Sequence, residues 1–173
     1  MSNISTANAH PSSSVSTKMV DFENVSEETV KQIIQKSPNK SCELDPIPTW
    51  LLKSCIDELL PFLTRLINAS LENAYVPKEF KCSRIRPLLK KPGLDQNELK
   101  NYRPVSNLPF ISKVLEKTVD TQIEAHISSN NLHAPNQSAN RKFHSTETTS
   151  IKVQNDILQS LDQNKYTILA LLD

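Results

Sequence analysis

Glycine is nearly missing from this 173-residue chain, which holds one, Gly93, alongside 11 prolines. With so few cheap positions for positive φ, a glycine-rich phosphate cradle or a series of tight hairpins is excluded, and helices with proline-marked boundaries are expected. Aromatic residues make up only 5% of the chain, so any core is mainly aliphatic. Cysteine is scarce too: Cys42, Cys55 and Cys82 are an odd set with no C-x-x-C pair, and the four histidines have no spacing that completes a zinc site. These thiols are read as reduced, which places the protein inside the cell, in cytoplasm or nucleus. The longest purely apolar run, Ile168 to Leu172, is far short of a membrane span. A basic start followed by an apolar signal region is lacking as well, and no membrane partner is expected.

What is present reads as one domain, or part of one. Residues 1–20 are rich in Ser, Thr and Asn without apolar periodicity and are expected to be a disordered polar lead. Ser26 then suits an N-cap, with Glu27 and Glu28 in the first turn and Val25 and Val30 spaced as a hydrophobic staple. That helix should run to about Lys36 and bury Val30, Ile33 and Ile34, with Ser37-Pro38 as its stop. Two helices, about 48–59 and 61–74, are predicted next, with Pro61 taken as the break between them. Ser83 to Leu89 reads as a short strand, Pro92-Gly93 as a turn and Asp95 to Lys100 as a loop tip, and a short extended piece lies between Pro104 and Pro109. The strongest helical pattern begins at Phe110 and continues to about Ser128. A second helix follows Ser145, an N-cap with Glu147 in the first turn. Tyr166 to Leu172 reads as a buried strand that leads into Asp173.

Charge is concentrated in one stretch. Between Lys78 and Arg103 there are eight Lys or Arg against three acids, an excess of five in a protein whose net charge is +1. The remainder must sum to about −4. A positive surface that meets phosphates has this footprint, and so does a solvated hairpin whose lysines keep an edge strand from pairing with other chains. Charge alone leaves both open.

A strand as apolar as Tyr166–Leu172 needs sheet neighbours, and the preceding chain offers one good strand region to pair with it. The sequence is therefore expected to be a piece of a larger domain.

Five blocks, in order and spacing, carry a resemblance. They are Lys40 to Pro48 (KSCELDPIP), Arg86 to Lys91 (RPLLKK), Asn101 to Pro109 (NYRPVSNLP), the pair QSANR (Gln137 to Arg141) and HSTET (His144 to Thr148), and the terminal Leu171-Leu172-Asp173. From about Phe22 to Asp173 the chain resembles the amino-terminal part of the reverse transcriptase domain of non-LTR, LINE-type, jockey-like retrotransposons. The resemblance implies an α+β, mostly helical fold: the fingers and first palm strand of a right-hand polymerase, truncated, with residues 21–173 as a partial reverse transcriptase domain. It implies template-directed addition of deoxynucleotides, with an RNA template, a DNA primer and deoxynucleoside triphosphates as partners of the complete domain.

Residue by residue, Lys90 or Lys91 together with Arg103 would hold the triphosphate of the incoming nucleotide, a pairing of ammonium and guanidinium that suits a polyanion. Gln137 and Arg141 fall in a block that contacts template and nucleotide. Asp173 matches the first catalytic aspartate, an oxygen ligand for Mg²⁺. Two features depart from the family pattern: Glu43 and Pro46 stand where glycines are common, and Asn140 stands where an aromatic usually precedes the arginine. Two-metal chemistry needs carboxylates from separate strands, so a single Asp173 is expected neither to bind Mg²⁺ stably nor to catalyse alone. A nucleic-acid-binding module without catalysis and a helical protein-interaction fragment are the other readings the residues allow.

Overall fold

The computed structural model describes residues 18–40, 42–134 and 136–171. In chain order these form α1 (Glu27–Lys36), α2 (Thr49–Ser54), α3 (Ile56–Glu72), α4 (Lys78–Lys81), β1 (Arg84–Leu89), a 3₁₀ turn (Leu99–Asn101), β2 (Tyr102–Asn107), α5 (Phe110–Ser129) and α6 (Thr146–Asp162). The architecture is α+β and mostly helical, with one two-stranded antiparallel sheet. The chain divides at Asn130/Asn131 into two compact units, each described by itself.

In the first unit, α1 begins where its sequence says it should. Ser26 Oγ accepts from the Thr29 N–H at 3.2 Å, and Val30 and Ile34, one turn apart, are fully buried. They meet Leu52 of α2, Ile56, Leu60, Ile67 and Leu71 of α3, and Phe110, Val114 and Leu115 of α5 in one apolar cluster. The extended lead into α1 is held by two side-chain amides that each bracket one backbone residue. Asn68 accepts from Val25 N–H at 2.9 Å and donates to its carbonyl at 3.0 Å, and Gln122 does the same for Glu23 at 2.8 Å on both sides. The backbone polar groups of these two residues are thereby paired without a strand partner.

Pro61 is not a break. It lies inside α3, and the interruption falls at Cys55, between α2 and α3. One proline near the start of a helix removes a single backbone bond, while the stripe Ile56, Leu60, Ile67 and Leu71 runs across it and keeps one face on the core. Thr64 lies in the same stripe, and its buried hydroxyl has no hydrogen-bond partner among the described residues. Thr64→Val keeps the shape and removes the unmet hydroxyl, so it should raise stability by about 1 kcal/mol. A lower thermal midpoint for the variant would show that the hydroxyl is satisfied after all.

Scarcity of glycine is met in another way. Gly93 takes φ +84° in the hairpin loop, while Ala74, Asn131, Asn140, Phe143 and Asn164 also adopt positive φ. Ala74 and Asn164 follow the ends of α3 and α6, where Tyr75 N–H returns to Ser70 and Lys165 N–H to Ser160. This is the hydrogen-bond pattern of a helix stop that glycine usually occupies, carried here by alanine and asparagine.

Strands β1 and β2 pair from Arg84↔Asn107 to Leu89↔Tyr102. β2 begins two residues before Pro104, so the extended piece is longer than its flanking prolines suggest. Lys90 N–H donates to the Asn101 carbonyl at 2.8 Å, which makes 90/101 a hydrogen-bonded pair and, by alternation, 88/103, 86/105 and 84/107 as well. Pro87 and Pro104 face each other in a pair between these. Neither proline costs the ladder a bond.

In the second unit, α6 starts at a capping box. Ser145 Oγ accepts from Thr148 N–H at 3.2 Å while Thr148 Oγ1 accepts from Ser145 N–H at 2.9 Å. Ile151, Leu158 and Leu161 on this helix are exposed, and no described residue of this unit is buried. The expected strand from Tyr166 is overturned over its described part. Tyr166 to Leu171 forms no strand, and Tyr166, Ile168 and Leu171 are almost wholly exposed. The two strands among the described residues pair with each other, and Tyr166 to Leu171 pairs with neither.

Candidate functional site

The basic stretch becomes a two-stranded ribbon with a sided charge. Side chains alternate across a strand and directly paired residues share a face. Arg84, Arg86, Leu88 and the next residue, Lys90, therefore lie on one face of β1, together with Val105 and Arg103 of β2. Ile85, Pro87 and Leu89 take the other face with Tyr102, Pro104 and Ser106. Arg103 is directly opposite Leu88, so Lys90 is its diagonal neighbour, roughly 7–8 Å away between backbones. Lys91 sits past the ladder in the bend that leads to Pro92-Gly93.

The face has two stations. Near the loop, Lys90 and Arg103 are exposed, and neither forms an ion pair among the described residues. At the base, Arg84 and Arg86 share one carboxylate: Glu43 Oε2 lies 3.4 Å from Arg84 Nε, and Glu43 Oε1 accepts from Arg86 Nη2. The hydrogen bond from Arg86, then the charges of Arg86 and Arg84, hold the Glu43 carboxyl below the usual carboxylate range, and the hydrogen bond to Glu43, then its charge, push Arg86 up. Because the Glu43 pKa is lowered, the pair is complete above the ordinary carboxylate range and is lost as pH falls through the depressed value.

Glu43 reaches the ribbon because its loop is fixed on both sides. Cys42 is buried, and its thiol donates to the Asn107 carbonyl, the residue paired with Arg84. Asp45 Oδ2 accepts from Cys42 N–H and its Oδ1 accepts from Phe110 N–H, both at 2.6 Å. One carboxylate thus closes the loop and caps the start of α5, for which Pro109 supplies no side-chain cap. Loop, ribbon and α5 form one set. Sequence reasoning singled out this block by resemblance and assigned no role to Cys42, Glu43 or Asp45. Contacts over 43 and 65 residues leave no local periodicity to read.

The other predicted site residues fall elsewhere. Gln137 and Arg141 belong to the second unit: Gln137 is exposed and its Nε2 donates to the Ala139 carbonyl at 3.3 Å, while Arg141 is half-buried. Asp173 lies outside the described residues. Among the described residues no group of three or more His, Cys, Asp or Glu is placed to hold a metal ion. Nor does any described helix have the length and apolarity to cross a membrane. An apolar depression of about 600 Å³, lined by Ile47, Leu59, Leu63, Phe80 and Phe110 among others, includes no lysine or arginine. The basic site is a surface and not a pocket.

No protein-family model matches the chain. Individual relatives do. It is 30% identical over 146 residues to the probable RNA-directed DNA polymerase from transposon X-element of Drosophila melanogaster, covering 84% of this chain and 16% of that protein. The probable RNA-directed DNA polymerase from transposon BS of the same organism is 26% identical over 147 residues, 85% of this chain and 16% of the relative. The RNA-directed DNA polymerase from mobile element jockey, also of Drosophila melanogaster, is 27% identical over 147 residues, with 84% and 16% covered. By this shared sequence the chain is a homologue of the RNA-directed DNA polymerases of jockey-like non-LTR retrotransposons and spans about 16% of the length of the relatives it matches.

Proposed function

We propose that the chain is the fingers portion of a reverse transcriptase domain and that its basic ribbon faces the triphosphate of an incoming deoxynucleotide. The observation that carries this reading is the placing of Lys90 and Arg103 on one exposed face, neither of them in an ion pair among the described residues, in a chain related to RNA-directed DNA polymerases. An ammonium point charge and a forked guanidinium on diagonally neighbouring positions of one face suit the oxygens of a polyphosphate. Lys91, in the adjoining bend, adds to the local positive potential. Gln137 and Arg141 serve the template strand, and Asp173 is the first of the carboxylates that hold Mg²⁺ in a complete palm. Residues 21–173 are then a partial domain whose partners in the whole protein are an RNA template, a DNA primer and deoxynucleoside triphosphates.

A polypeptide of these 173 residues brings one such carboxylate, and two-metal nucleotidyl transfer needs several. It should bind without polymerising. Two measurements test this. Primer extension with template, primer, the four deoxynucleotides and Mg²⁺ should give no product above a control without protein; incorporation would overturn the inactivity. A fluorescent deoxynucleoside triphosphate should bind, and Lys90→Ala combined with Arg103→Ala should weaken it about tenfold or more, as expected for lost charge-assisted contacts. Unchanged affinity in the double variant would refute the assignment of these two residues. Salt-sensitive binding of a single strand with no nucleotide binding would favour a nucleic-acid-binding module.

A further inference from the structure

The base of the ribbon holds two arginines for which the nucleotide reading has no use. Arg84 and Arg86 are successive residues on the same face as Arg103, about 6.8 Å apart along the strand. Their side chains are 60% and 65% exposed, yet both are turned to the one carboxylate of Glu43. A carboxylate that divides its two oxygens between two guanidiniums stands where the two free oxygens of a phosphodiester would stand. Glu43 itself is 47% exposed. Exposed ion pairs contribute little to stability and exchange readily with solvent ions. A buried, thiol-tethered Cys42 and the doubly bonded Asp45 nevertheless keep Glu43 at this position. The loop is fixed while the contact it delivers is displaceable.

Resting on the reading of the ribbon above, we propose that Arg84 and Arg86 form a phosphodiester-contact site for a single nucleic-acid strand, and that Glu43 occupies this site in the free chain as an internal competitor. A strand that engages the whole face must displace Glu43. The affinity of the ribbon is therefore set partly by a residue on another element.

The test is a double-mutant cycle on the full chain, read by fluorescence anisotropy of labelled oligothymidylate over a range of salt concentrations. Glu43→Gln should tighten binding about threefold or more. It should also steepen the dependence of log affinity on log salt by about 1.4, since each phosphate contact to a single strand contributes about 0.7. Arg84→Gln with Arg86→Gln should change little in the native background, where Glu43 already holds both. The same pair in the Glu43→Gln background should abolish the gain. If Glu43→Gln binds no more tightly, or binds more weakly, the competitor role is overturned. A gain for tripolyphosphate without one for oligothymidylate would overturn the assignment to a strand. The two readings separate cleanly. Loss of nucleotide binding on changing Lys90 and Arg103, with no effect of Glu43→Gln, sinks only this inference; a Glu43→Gln gain with Lys90 and Arg103 inert sinks only the other. If neither the native chain nor Glu43→Gln binds oligothymidylate, this inference is overturned; if the native chain does not bind the deoxynucleoside triphosphate, the other is.

Discussion

Ile67→Ala is expected to destabilise the first unit by about 3–4 kcal/mol, within the range for a buried aliphatic side chain cut to alanine. Ile67 is 1% exposed at the centre of α3, inside the cluster formed with α1, α2 and α5. Removing its side chain forfeits the transfer energy of those groups and leaves a void that four packed helices cannot close without moving apart. A domain of this size has about 5–15 kcal/mol in total, so the variant should lose a large part of its margin. The next-door control is Leu66→Ala, at a position 39% exposed and about 100° round the helix from Ile67. It should cost well under half as much. Urea titration measures both, and an unchanged slope with a lowered midpoint is the expected form for Ile67→Ala. Equal midpoints for the two variants would mean that the core does not run along the stripe described.

Asp45→Ala should cost about 2 kcal/mol, the upper end for a lost helix cap. Its two oxygens accept from Cys42 N–H and Phe110 N–H, and alanine leaves both donors without that partner. The conservative variant is informative. Asp45→Asn retains one acceptor oxygen but turns an NH₂ toward the other N–H, so it should recover at most half of the loss. Amide hydrogen exchange at Cys42 and Phe110 should accelerate in Asp45→Ala, while exchange in α1 should follow only the global change. If Asp45→Asn restores native stability in full, one of the two bonds contributes nothing. The effect should also reach the ribbon, because the loop that Asp45 closes is the loop that places Glu43.

Much of this was legible in the sequence where the signal is local. Ser26 and Ser145 as caps, the apolar pattern that starts α5 and the Pro92-Gly93 turn each follow from a few neighbouring residues, and the structure has them at those places. Errors arose where distant parts of the chain decide. Pro61 looked like a boundary because propensity ignores the apolar stripe that carries α3 across it. Tyr166 to Leu171 reads as a strand because an apolar, β-prone composition does not fix whether the segment pairs with anything. At the site, Lys90 and Arg103 were named from ordered blocks of resemblance. Their shared face follows from register, which the sequence suggests only through its turn. Glu43 stands out in the sequence only as a departure from glycine, and its pairing with Arg84 and Arg86 depends on a loop that Asp45 closes and ties to Phe110, 65 residues away.

The facing pair Pro87 and Pro104 has a consequence for which side of the ribbon is positive. Suppose one strand slides by a single residue. Pro87 would then face Val105 and Pro104 would face Leu88, in adjacent pairs, and adjacent pairs in an antiparallel ladder alternate between bonded and non-bonded. One proline would have to occupy a bonded position, where it has no N–H to give. Such a slip would also send Arg103 to the face opposite Arg84 and Arg86. The two prolines thus act as a parity check on the pairing. They admit only those alignments in which all three arginines point the same way, and they do so without touching any of them.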